Sequence, residues 1–216
     1  MRHALALLAV LAPLPAAAHP HVFIDTGFEV ILDETGALTH VRTTWAYDEF
    51  YTLLISEDLK IDQDFDGKLT EDEQQRLTGF DMQWIEGYTG DLDARLDGQP
   101  LVLSGPLEPT AVIENGRVVT THLRAVENAP VLAGKLLSLK PYDPTFYTAY
   151  TVALPVTLKG GDACMIEAIE PDIDAAMEDM RQQLLRLDKD ADLEENGFPE
   201  VGEEFATDVR ISCPGS

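Results

Sequence analysis

From Val22 onward the apolar positions alternate. Val22, Ile24, Phe28, Val30 and Leu32 fall on one face, and His21, Phe23, Asp25, Glu29 and Asp33 on the other. A period of two predicts a half-buried strand. After a Glu34-Thr35-Gly36 turn, Val41, Thr43, Trp45 and Tyr47 alternate again, with His40 and Arg42 opposite, so the two runs read as a hairpin. The period then changes. Phe50 or Tyr51, Leu54, Ile55 and Leu59 recur at helical spacing, and residues 70–77 read as a second, short helix. Thr70 followed by Glu73 forms a capping box for it. Strand signals return after Trp84. Asp97-Gly98 and Asn115-Gly116 are hairpin turns flanked by apolar alternation. Residues 136–139, 146–154 and 164–170 are further strand candidates. Residues 172–187 predict a long helix with an apolar stripe of Ile173, Met177, Met180, Leu184 and Leu187. An acidic, turn-rich stretch over 188–204 and a short segment over 205–211 close the chain. The pattern predicts an α+β fold: a mostly antiparallel, sandwich-like β-sheet with an inserted helix–loop–helix at about 48–80 and a C-terminal helix.

The first residues do not belong to that pattern. Met1-Arg2-His3 is a short positive start, residues 4–14 are an apolar run, and Ala16-Ala17-Ala18 is a small-residue cleavage site. This is the plan of a secretion signal over 1–18, cleaved after Ala18, with a single α+β domain over 19–216. The apolar run is too short for a permanent span, and no later segment inserts in a membrane. Export, most simply to a bacterial periplasm, sets the reading of the two cysteines. In an oxidising compartment Cys164 and Cys213 suggest a disulfide, whose closed loop of about 49 residues would contribute roughly 4 kcal/mol in the chain-entropy model. Free thiols or soft-metal ligands are the alternative.

The 216 residues carry 39 Asp and Glu against 15 Lys and Arg, a net charge of −24. That excess repels nucleic acid and an anionic lipid face, and it draws cations. Some of the acids are organised. Residues 62–73 read Asp-Gln-Asp-Phe-Asp-Gly-Lys-Leu-Thr-Glu-Asp-Glu. Asp62, Asp64 and Asp66 occupy positions 1, 3 and 5 of an EF-hand loop, and Gly67 the sharp turn. Lys68 would lend its backbone carbonyl, Thr70 would act directly or through water, and Glu73 would be the bidentate ligand. Leu69 would tie the loop to the core. Converging carboxylates repel without a cation, and flexible, hard oxygen ligands suit Ca²⁺ better than Mg²⁺. Asp188, Asp190 and Asp192 begin a similar series, but Leu193 replaces the turn glycine and Pro199 the last ligand, so it is not a second loop.

A second cation site is conceivable at the histidines. Cleavage after Ala18 leaves His19-Pro20-His21 at the new N-terminus. Ring and amine of His19, with His21 and Asp25, form a candidate set for Zn²⁺, Ni²⁺ or Cu²⁺, completed by His122 if the sheets bring it near. Solvated terminal histidines are the plainer reading. No nucleophile elbow, HExxH, Walker loop or CxxC occurs, so the chain reads as a non-enzyme; a copper brace of His19 and His122 is the enzymatic alternative.

The start His19-Pro20-His21-Val22-Phe23-Ile24-Asp25, the run Trp45-Ala46-Tyr47-Asp48-Glu49-Phe50-Tyr51, the Asp-rich loop and Tyr142-Asp143-Pro144-Thr145-Phe146-Tyr147 together resemble one exported bacterial family of unknown function. The resemblance covers nearly the whole chain after the leader, Cys213 included. Members are often labelled the periplasmic component of an uncharacterised ABC-type transport system and accompany nickel/cobalt-type or zinc transporters. The resemblance therefore implies a metal-binding accessory of an inner-membrane zinc, nickel or cobalt transporter, here with a calcium site. A calcium-stabilised binding or adaptor module with no transition-metal role is the other reading.

Overall fold

The computed structural model describes residues 20–161, 163–186 and 199–215. In chain order the strands and helices are β1 (Val22–Leu32), β2 (Leu38–Tyr47), α1 (Glu49–Leu59), α2 (Glu71–Leu77), β3 (Leu92–Leu96), β4 (Gln99–Pro100), β5 (Leu107–Glu114), β6 (Arg117–Ala125), β7 (Leu136–Pro141), β8 (Thr148–Thr151), β9 (Val156–Lys159), β10 (Met165–Ile169), α3 (Ile173–Arg186) and β11 (Asp208–Ser212). A 3₁₀ turn, Gly202–Phe205, precedes the last strand.

The hairpins follow their turn chemistry. Asn115-Gly116 and Asp97-Gly98 hold positive φ at both central residues, which matches the twist of the strands they join. One sheet has the order β5-β6-β2-β1-β8, with β9 also on β1; the other runs β10-β11-β7-β3-β4. Among the named strands all pairings are antiparallel except those of β8 and β9, which run parallel to β1. These antiparallel-rich sheets, with three helices, make the mixed fold that the pattern predicts.

The inner face of the first sheet is covered by two different structures. At one end Phe28, Val30 and Val41 pack on Leu92, Leu137, Leu139, Val209 and Ile211 of the second sheet. At the other end Val22, Ile24, Trp45, Tyr47 and Val118 pack on Ile55, Ile61 and Leu77 of the α1–α2 insertion. Side chains enclosed this fully each contribute about 1.5–3 kcal/mol relative to exposure. Cys164 and Cys213 are joined as a disulfide, fastening the approach to β10 to the end of β11.

Three expectations change. Residues 146–154 do not form one strand: β8 stops at Thr151, and the chain crosses over Gly27 before β9 begins. A Cβ at Gly27 would stand 2.7 Å from both Leu154 Cβ and the Pro155 carbonyl, so only glycine admits that crossing. The segment 205–211 begins in the 3₁₀ turn, and from Asp208 it enters β11, a strand inside the second sheet between β10 and β7. The stripe of α3 is mostly exposed, because that helix buries only Ala176, with Met180 alongside, against Val201 and Phe205. Leu187, the acidic series from Asp188 to Asp192, and residues 1–18, where a leader is expected, lie outside the described residues.

Candidate metal centre

The acidic loop hangs between two helices that are fixed from below. Asp48 caps α1 by accepting from the Tyr51 amide at 2.8 Å, and Thr52 Oγ1 accepts from the Val118 amide, seating α1 on β6. At the far end Lys60 turns left-handed and closes the helix. Arg76 of α2 donates to the carbonyls of Leu59 and Lys60 at 2.9 and 2.8 Å, binding the start of one helix-loop boundary to the other helix. Ile61 and Leu77 are fully buried beneath the loop, and Leu69 packs partly against the same cluster. Gln74 donates to the Ala111 carbonyl on β5 at 2.7 Å. The loop ends therefore cannot drift apart.

Between them Asp62, Asp64 and Asp66 bring one carboxylate oxygen each within 4.8 Å of one another. Asp62 is buried and the other two are exposed. Asp62 Oδ1 accepts from the Gly67 amide at 3.0 Å, and that glycine takes φ +73°, the left-handed turn its position demands. Lys68 donates from its amide and its ammonium to Asp66, both at 2.8 Å, so one cation already stands at the rim of the cluster. That pairing holds the Asp66 carboxyl below its ordinary range.

Glu73 is placed differently from the other acids. Its Oε2 accepts from the Thr70 hydroxyl at 2.7 Å and the Thr70 amide at 2.8 Å, while Oε1 accepts from the Asp62 amide at 3.2 Å. Thr70 Oγ1 accepts in turn from the Glu73 amide, completing the capping box. The Thr70 bonds lower the Glu73 pKa. The three aspartates thus converge, whereas Glu73 and Thr70 are engaged with each other and with the first loop residue. The donor set is all hard oxygen, which fits Ca²⁺ and offers nothing to a soft metal.

Among the described residues, His21 and Asp25 are not brought to His122. His122 lies opposite Thr43, and Thr43 lies opposite Phe28, so its side chain is on the inner face. Asp25 is odd-numbered on β1 and falls on the outer face, and His21 immediately precedes the strand. Asp25 pairs with Arg117 at 2.6 Å, and the His21 ring lies 4.8 Å from Tyr147. His21 is also seven residues along the chain from Phe28, about 23 Å at strand rise. His19 lies outside the described residues.

His122 belongs instead to a polar seam where the two halves of the core meet. The inward positions of β6 run Val118, Thr120, His122, Arg124, and Thr26 and Thr43 lie on the neighbouring strands, all buried. The His122 ring meets Trp45 and Trp84 edge-on at 4.7 and 5.3 Å, and burial pushes its pKa down to about 3. Neither ring nitrogen has a hydrogen-bond partner among the described residues, and Thr43 Oγ1 and Asp81 Oδ1 share that condition. The other Asp81 oxygen accepts from Tyr47 at 2.9 Å and Thr120 at 2.7 Å. Asp91, at the head of β3, accepts from the Tyr150 hydroxyl at 2.7 Å, and burial pushes its carboxyl up to about 6. Arg124 donates to three backbone carbonyls, those of Thr89, Leu103 and Ser104, and lies over the Trp84 ring. The sequence holds one signal of this seam: three successive inward positions of a strand, Thr120, His122 and Arg124, are polar.

A family model matches residues 4–213, across both sheets, the acidic loop and Cys213. The chain belongs to this family, DUF1007, described as a protein of unknown function. No curated protein matches the chain. The DUF1007 match contains every residue of the loop and of the seam, so both lie inside the family's shared extent.

Proposed function

We propose that the protein is an exported calcium-binding module of the bacterial periplasm, in which one Ca²⁺ clips the α1–α2 insertion to the sandwich. The observation that carries this reading is the convergence of the Asp62, Asp64 and Asp66 oxygens within 4.8 Å, in a loop whose ends are held by buried Ile61 and Leu77. Those three carboxylates, the Lys68 carbonyl, Thr70 and Glu73 would hold the ion. The ion replaces repulsion among the aspartates with attraction, and Glu73 would leave its cap to join it. The disulfide and the leader-like start support export.

The reading as accessory to a zinc, nickel or cobalt transporter draws on the family resemblance. Its ligand set has less support, since His21 and Asp25 are not brought to His122. The calcium module is accordingly the reading the geometry supports best.

Thermal unfolding in calcium, in magnesium and in chelator tests it. At a calcium concentration about 100-fold above Kd, mass action adds about 2.7 kcal/mol, or about 5–10 °C for a chain of this size. Magnesium should give much less. Asp62→Ala with Glu73→Ala should abolish the calcium increment; an increment unchanged in that double variant removes the proposal.

A further inference from the structure

Helix α1 is apolar around most of its circumference, with Phe50, Tyr51, Leu53, Leu54, Ile55 and Leu59 spread over its faces. A helix of that composition is ordinarily enclosed on all sides. Here only Thr52, Ile55 and Ser56 are buried against the sheet, while Phe50 is 67% exposed, Leu53 50% and Leu54 49%. The apolar surface continues past the helix. Phe65 of the loop is 69% exposed and held at φ 57°, a conformation that a bulky side chain adopts only under strain. Leu53 and Phe65 line a groove of about 590 Å³ whose far wall includes Ile113 on β5. Contiguous exposed apolar surface of this kind marks an interaction site.

The rim says what kind of partner fits. Glu49, Glu57 and Asp58 lie on α1 beside the apolar stripe and Asp62 and Asp66 line the adjoining groove; Lys60 and Lys68 pair with Glu57 and Asp66, so the rim keeps an excess of negative charge. A chain of net charge −24 repels a second copy of itself and an anionic lipid surface. We propose that the outer face of α1, extended by Phe65, docks a cationic amphipathic segment of a partner protein. Apolar side chains of that segment seat on Phe50, Leu53 and Leu54, and its flanking Lys or Arg residues meet the acidic rim. Recognition of an amphipathic segment by an apolar groove with complementary charge is a recurrent binding mode. Phe50, Leu53 and Leu54 belong to α1 and are exposed whether or not the loop takes calcium, while Phe65, Asp62 and Asp66 come from the loop itself.

The probe is a helical peptide of leucine and lysine with one apolar stripe, compared with a scrambled peptide of identical composition at about 0.15 M salt, where long-range attraction is screened. The striped peptide should bind about tenfold more tightly, the scale on which truncated apolar contacts report. Phe50→Ser with Leu54→Ser should erase that preference while leaving the far-UV spectrum and melting temperature unchanged. Leu53→Arg alone serves as an independent variant. Equal binding of the scrambled peptide, or a preference that survives both variants, overturns the proposal. So does dimerisation, or adsorption to phosphatidylglycerol vesicles, that the same substitutions abolish. Calcium titration of the wild type separates the two readings: a stripe preference in a protein that shows no calcium response keeps the docking face and removes the ion, whereas a calcium response without a stripe preference keeps the ion and removes the docking face.

Discussion

Asp91 sits where the two sheets join, its carboxylate bonded by Tyr150, with Tyr88 and Asp143 also close enough to act on its charge. Burial raises its pKa from 3.8 to about 6. A carboxyl raised on folding contributes stability that is complete below about pH 4 and is lost as the pH rises through 6. Asp91→Asn should therefore raise stability at pH 7.5 by about 1–3 kcal/mol and flatten the gain the wild type shows between pH 7.5 and 5. Denaturant unfolding at the two pH values, compared between wild type and variant, checks this and cancels the general relief of acid repulsion. Lys68 makes the opposite kind of test. Its ammonium competes with an incoming cation for Asp66, but only its backbone carbonyl belongs to the ligand set. Lys68→Ala should tighten calcium binding several-fold without removing a ligand, measured by competition with a chromophoric chelator.

At the scale of elements, the disulfide and most local structure were readable in the chain. Cys164–Cys213 is the pairing expected of the two cysteines, and Cys213→Ser should cost about 2–4 kcal/mol by thermal unfolding under non-reducing conditions. The hairpins at Asn115-Gly116 and Asp97-Gly98, the capping box at Thr70 and Glu73, and the alternation of β1 and β2 are all local, so residues within a few positions determine them. The elements that escaped are those decided at long range. Strand β9 was hidden because Pro155 breaks its pattern, and it forms by pairing in parallel with a strand more than a hundred residues earlier. Strand β11 gains its place only from β7 and β10 on either side. The stripe of α3 promised a buried face, yet the helix touches its neighbours mainly through Ala176. Within the site, the three aspartates were legible from spacing. The capping box at Glu73 was legible too; that Glu73 also accepts from the Asp62 amide, and so stays apart from the three aspartates, was not, since the same residue type serves as cap and as ligand. Of the histidine set, the separation of His122 from Asp25 was not legible, since it follows from the register of β6 on β2 and of β2 on β1.

For the whole molecule, the charge of −24 has three kinds of site within it. Most acids lie on the surface; Asp81 and Asp91 are drawn into the polar seam between the two halves of the core; Asp62, Asp64 and Asp66 converge in a loop braced by two helices. The loop and the apolar face of α1 are neighbours on one insertion, so the insertion rather than the sandwich carries the functional account, and the sandwich serves to fix it through β5 and β6. The central claim is that the loop takes one calcium ion. Isothermal titration of calcium into the protein tests it most directly, with the weak dissociation constants of about 10⁻⁴–10⁻³ M typical of extracellular modules. The account predicts one ion per chain and loss of the binding heat in Asp62→Ala; no binding heat in the wild type, or the same isotherm in that variant, would contradict it.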